Sequence, residues 1–233
     1  MLQPALLNDD STIAYKYRIG GGYKVSDHWE PLGPAGSYDT FGPELSFGQA
    51  LKERLTDNIA IAKFTHSGSQ IIDWTPEGSM AKSRNLYSRF IAFINEAISE
   101  LETKGHEVEL TGVFYHIGEN DMSFSPYRKG APKRLQSIIT QSRDDLSLPN
   151  LKWYVSQQPP TDDESVNKID VTTALAEVAA ADAHLIHLKA FGLPKQEKEL
   201  VLDTAGIIAL GTLIAETFLA VEKASETGPS LEP

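Results

Sequence analysis

The residues best suited to chemistry in this chain are Gly118, Glu119, Asn120 and Asp121, which follow the apolar run Leu110–Tyr115. A short apolar run of this kind reads as a buried strand, so the polar turn lies at that strand's carboxyl end. Glu119 and Asp121 could act there as an acid/base pair, or shape the turn by accepting bonds from its amides. His116, at the same strand end, is a candidate general base. His66 and Ser67 form a second His–Ser neighbourhood, after the apolar run Asn58–Phe64. Adjacent residues on an extended backbone point to opposite sides, which places these two poorly for acting on one another. His66, His116, Glu119 and Asp121 carry ligand atoms, but their spacing matches no recognised metal pattern. No metal and no cofactor is therefore expected. Trp29, Trp74 and Tyr115 could stack on a sugar ring or pack the core and loops, and both uses stay open. Glu44 is expected at a helix start, where a carboxylate complements the helix dipole.

Strands and helices alternate along the chain. Residues 12–19 alternate in a strand-like way, and Gly20–Gly22 turns the chain so that Tyr23–Val25 can pair back. Further strands are expected over Asn58–Phe64, Val108–Tyr115, Leu151–Val155 and His184–Leu188. Helices are expected over Leu45–Leu55, Ser83–Thr103, Pro132–Leu146, Ile169–Ala181 and Asp203–Lys223. The second of these carries Phe90, Ile91, Ile94, Ala97, Ile98 and Leu101 at spacings of three and four. Strands separated by helices need crossover connections, so the expected fold is a three-layer α/β/α domain with a mostly parallel sheet. One domain over residues 1–224 is expected, with a disordered tail over 225–233.

The 233 residues suit one such domain. Lys and Arg number 21 against 32 Asp and Glu, a net charge of -11, which argues against nucleic acid or an anionic membrane as partner. The chain has no cysteine, which excludes disulfides, thiol catalysis and thiolate metal sites. No uninterrupted run of about 18 apolar residues is present, so no membrane-crossing helix is expected. Residues 1–10 lack the basic start and long apolar core of a signal peptide.

A set of ordered segments then bears a resemblance. These are Trp29–Leu32, Phe41–Gly48, Lys63 and Phe64 with Ser67, Gly68, Ser69 and Trp74, Gly112–Asp121, and Asp203–Gly206 with Gly211. Over about residues 12–220 the chain resembles the SGNH-hydrolase superfamily, in its sialate O-acetylesterase-like, carbohydrate-esterase branch. The resemblance implies a doubly wound, flavodoxin-like sheet and serine-based hydrolysis of acetyl esters on carbohydrates. In that chemistry a serine attacks the acyl carbonyl, a histidine is the base, and amides with an Asn or Gln side chain hold the oxyanion.

The resemblance also identifies departures. The family's nucleophile lies in a Gly-Gln-Ser-Asn or Gly-Asp-Ser turn after a first strand at the sheet centre, and no such turn precedes residue 12 here. A sheet without that strand is expected to expose apolar edges on both sides of the gap, and the natural product is expected to extend upstream or to fill the gap otherwise. Ile117 stands where a glutamine donor is usual, and Lys198 and Val201 stand at the Asp-x-x-His positions. Gly68 is retained as an oxyanion contributor. The expected catalytic set is therefore Gly68, His116, Glu119 and Asp121, with Trp74, Tyr115, Ser69 and Asn120 on the substrate. A small-molecule or carbohydrate ester is the implied partner. Two functions follow: an impaired esterase, or a non-catalytic carbohydrate-binding scaffold.

Overall fold

The computed structural model describes residues 7–21, 24–36, 40–122, 124–157, 171–188, 190, 192–196 and 201–226. Its strands are β1 (Asp10–Gly20), β2 (Glu30–Leu32), β3 (Ile59–His66), β4 (Val113–Ile117), β5 (Trp153–Gln157) and β6 (Leu185–Leu188). Its α-helices are α1 (Glu44–Lys52), α2 (Tyr87–Thr103), α3 (Glu119–Met122), α4 (Ser125–Asp145), α5 (Val171–Ala180) and α6 (Thr204–Glu226). The element types agree with the sequence expectations, and the hairpin return is present in Ile19 N–H donating to the Lys24 carbonyl at 2.9 Å. The middle of that hairpin, Gly22 and Tyr23, lies outside the described residues, as do Lys198 and residues 169–170.

Several boundaries move, each for a local reason. The third expected helix starts at Ser125 rather than Pro132, because Pro126 rather than Pro132 occupies its first turn. The second starts at Tyr87, because the Leu86 amide donates to the Asp73 carbonyl at 2.7 Å and the preceding Lys82–Arg84 turn is 3₁₀. Strand β4 starts at Val113, opposite Trp153 where β5 begins, so residues 108–112 have no strand beside them. The last helix runs to Glu226 and so takes in Ser225, the first residue of the expected tail. The expectation that nothing here could cross a membrane by length and composition is also corrected. Thr204–Ser225, 22 residues, passes that test, because its polar residues are scattered and mostly uncharged. In the fold this helix contributes Leu210, Ile214, Ala215 and Phe218 to a core.

Of three apolar clusters among the described residues, two lie on opposite faces of the sheet. One joins Phe64 of β3, Val113, Tyr115 and Ile117 of β4, and Trp153 and Val155 of β5 to Phe90 of α2 and Leu135, Ile138 and Ile139 of α4. The other joins Ile59 and Ile61 of β3, Phe114 of β4 and Tyr154 of β5 to Phe47 and Leu51 of α1 and to α6. Alternate residues of one strand enter opposite cores, as a pleated strand requires. The result is the expected three layers, with α2 and α4 on one face and α1 and α6 on the other.

The sheet itself is in two halves. One has the order β2-β1-β3, with β1 and β3 parallel and β2 antiparallel at the edge; the other has the order β4-β5-β6, all parallel. No ladder joins β3 to β4 among the described residues. Both cores nevertheless run across the interruption.

Candidate functional site

The loops after β3 and β4 come together at the carboxyl edge of the sheet, where open α/β sheets hold their sites. In the first loop, Gly68 has φ +69° and nothing within 4 Å of where a Cβ would stand. Its backbone is thus both in a glycine-favouring conformation and open on its side-chain face. The loop is held from behind. The Gly68 carbonyl accepts from the Arg84 guanidinium, which also bonds Asp73 Oδ2 at 3.0 Å. Asp73 Oδ2 accepts from Gln70 N–H at 2.9 Å, closing a capping box on the short 3₁₀ turn Ile71–Trp74. Ser69 Oγ donates to the His66 carbonyl at 2.8 Å and accepts from Trp74 Nε1 at 3.1 Å.

The second loop is tied to the first at two points. Asn120 Nδ2 donates to the Ser69 carbonyl at 3.4 Å, and Asp121 Oδ2 accepts from Ile71 N–H at 2.9 Å. Asp121 is 3% exposed. Burial is the main cause that pushes its carboxyl up to about 6, against the Ile71 bond and the Arg134 charge, which pull it down. Its Oδ1 has no hydrogen-bond partner among the described residues. Tyr115 is raised well above the ordinary tyrosine value, first by burial and then by the charges of Asp121 and Asp73.

The expected residues therefore divide. Gly68, Ser69, Asn120 and Asp121 meet in one loop pair, and Glu119 opens the α3 turn beside them. Trp74, 9% exposed, and Tyr115 face the core: their rings lie 5.9 Å apart in an edge contact, and Trp74 meets Phe64 at 5.6 Å. Trp29 is spent on α2, its Nε1 donating to the Ala97 carbonyl at 3.2 Å. His116 shares the face of Phe114, opposite that of Tyr115, and its Nδ1 lies 2.8 Å from Ser156 Oγ on β5. His66 makes no pair with the Ser67 hydroxyl; its Nδ1 lies 3.0 Å from the Ser67 carbonyl oxygen instead. Glu44 accepts from Gly42 N–H at 3.0 Å near the helix start, but its Oε1 also meets Lys63 Nζ at 2.8 Å and Tyr15 Oη at 3.3 Å.

Ile117 is 1% exposed and packs in the core. Val201 is apolar and half-buried, and Asp203 Oδ1 accepts from Gly206 N–H at 2.8 Å, capping α6. Among the described residues no three His, Asp or Glu side chains are placed to share a metal. Two residues of the site region, Asp73 and Arg84, were not singled out from the sequence. Asp73 had a legible signal, lying three residues after Gln70 at capping-box spacing; Arg84 had none, since it acts across the fold.

The arrangement is a tied pair of loops at the carboxyl edge of a parallel sheet. The family model described as carbohydrate esterase, sialic acid-specific acetylesterase, matches residues 22–220, and the chain belongs to that family. Solved structures share the fold. A protein from Arabidopsis thaliana aligns at 20% identity and TM-score 0.69, over 94% of this chain and 85% of that one. NanS aligns at 14% identity and TM-score 0.59, over 94% and 90%. XAC1771, a carbohydrate acetylesterase from Xanthomonas citri, aligns at 15% identity and TM-score 0.57, over 95% of this chain and 50% of that one. Among curated proteins nothing matches.

Proposed function

We propose that this chain recognises acetyl esters of carbohydrates, as its family does, and hydrolyses them with strongly impaired turnover. The observation that carries this reading is Ile117, an apolar side chain sealed in the core where the family's side-chain oxyanion donor is expected. Loss of one such donor typically costs roughly 10²–10³ in rate. The apolar Val201 at the position of the family's base compounds the loss, since nucleophile and base act as a unit. In this reading Gly68 is the oxyanion contributor, Glu119 and Asp121 belong to the loop tied to its own through Asn120 and Asp121, and His116 is the base candidate.

The rival reading is a carbohydrate-binding scaffold with no catalysis. Core-packed Trp74 and Tyr115 offer no stacking platform for it, which favours the impaired esterase. Hydrolysis of p-nitrophenyl acetate, compared with an intact family member, tests the reading. Turnover should be lower by at least about 10³, and His116→Ala should lower it further. Full family-level turnover would overturn the proposal; binding of an acetylated sugar with no hydrolysis at all would support the rival.

A further inference from the structure

Two histidines, His66 and His116, stand at the carboxyl edge of the sheet, and they face opposite ways. His116 shares the face of Phe114, whose core takes in α1 and α6. His66 follows Phe64 by two residues on β3, so a pleated strand puts both on one face. That face also carries Tyr115, Trp74 and Ile71, and the Ile71 amide is where Asp121 ties the second loop to the first. His66 thus stands on the side of the sheet where the loop pair is joined, two residues before Gly68.

Its imidazole is held in one place and in one tautomer. Gly20 is its register partner on β1, and a Cβ there would lie 2.6 Å from His66 Cδ2 and 3.2 Å from His66 Cγ. The ring therefore rests against the bare backbone of Gly20. Its Nδ1 lies 3.0 Å from the Ser67 carbonyl oxygen, which can only accept, so Nδ1 carries the proton of the neutral ring. The lone pair is then on Nε2, which has no hydrogen-bond partner among the described residues and is not sealed from solvent. The backbone beneath the ring is fixed as well. The His66 carbonyl accepts from Ser69 N–H at 3.3 Å and from Ser69 Oγ at 2.8 Å. A carbonyl that orients one ring nitrogen leaves the other as a prepared proton acceptor.

We propose that His66 is a general base that acts on water, on the Gly68 side of the sheet, in direct hydrolysis of the acetyl ester. This rests on the acetyl-ester reading and adds a second base to His116. A water molecule gives a proton to His66 Nε2 as its oxygen bonds to the acetyl carbonyl carbon. The carbonyl electron pair moves onto its own oxygen, which the Gly68 amide receives. When that pair returns, the bond from the carbon to the sugar oxygen breaks, and the sugar oxygen takes the proton from His66. The products are the sugar alcohol and acetic acid, which gives its proton to solvent. No acyl-enzyme forms, so this route needs no serine nucleophile.

The test is acetate release from a methyl glucoside monoacetate by the full chain and by two variants, each shown to be folded by circular dichroism. In His66→Gln, kcat should fall about 10²-fold with KM little changed, a larger loss than in His116→Ala. Gly20→Ala keeps His66 but displaces its ring, and it should lower kcat too. The parent chain should turn over more slowly in deuterium oxide than in water, and His66→Gln should lose that difference. In 15N NMR the neutral His66 ring should be protonated at Nδ1. Undiminished kcat in either variant, or a neutral ring protonated at Nε2, would overturn the proposal and leave the acetyl-ester reading standing. No acetate release by the parent chain would remove that reading, and this base with it.

Discussion

Asp121 shows how one buried carboxylate can serve a loop and carry a charge cost together. It holds the Ile71 amide, and its carboxyl is pushed up to about 6 by burial. A folded-state value above the unfolded one means that the folded protein binds the proton more tightly. Stability from this group is fully present below about 4 and is lost as pH rises through about 6. Asp10 and Glu100 act in the opposite sense. Asp10 is held at about 2, chiefly by Lys52 and Thr12. Glu100 is also held at about 2, because bonds from Lys16 and Lys104 outweigh the burial that would raise it. Their contribution is present above the ordinary carboxylate values and is lost as pH falls from those values towards about 2. Urea melts between about pH 5 and 7 should therefore show stability falling with rising pH, and Asp121→Asn should flatten that slope. A slope unchanged in the variant would remove Asp121 as its cause.

Arg84 invites a second test at this scale. Its guanidinium holds the Gly68 carbonyl and buried Asp73. Arg84→Ala leaves that carboxylate without its cation and should cost about 1–3 kcal/mol in a denaturant melt. It should also lower whatever esterase activity is present, by freeing the Gly68 loop. At this scale the sequence was half legible. Gly68, Ser69, Asn120 and Asp121 could be singled out because turn-forming residues after apolar runs are local signals. Arg84 could not, because its partner Gly68 lies 16 residues away.

Among the elements, the contact between α1 and α6 depends on the absence of a side chain. A Cβ at Gly211 would lie 2.1 Å from Ser46 Oγ and 2.2 Å from the Pro43 carbonyl oxygen. Gly211→Ala must push the helices apart and should destabilise the fold by about 1–3 kcal/mol, measurable by thermal melting followed by circular dichroism. Ser46 Oγ donates to the Ile208 carbonyl at 2.9 Å across the same contact, so the cost includes that bond. Element types were readable from apolar periodicity, since α2 shows it plainly and buries Phe93, Ile94 and Ala97. Boundaries were less so. The start of α4 could not be chosen between Pro126 and Pro132 from propensity, and the start of α2 is set by the non-local bond from Leu86 to Asp73.

Across the whole molecule, the family fold is present, and Ile117 and Val201 are apolar where the resemblance implies polar residues. Strand pairing is non-local, so periodicity alone said nothing of the break between β3 and β4; only the resemblance led to an expected gap at the sheet centre.

The most direct measurement is intact-mass analysis of the purified chain after exposure to a fluorophosphonate, read beside its turnover of p-nitrophenyl acetate. The account predicts no stoichiometric adduct and turnover near background, in protein shown to be folded. A single adduct per chain that abolishes ordinary esterase turnover would mean that an activated serine operates in this fold, and would contradict it.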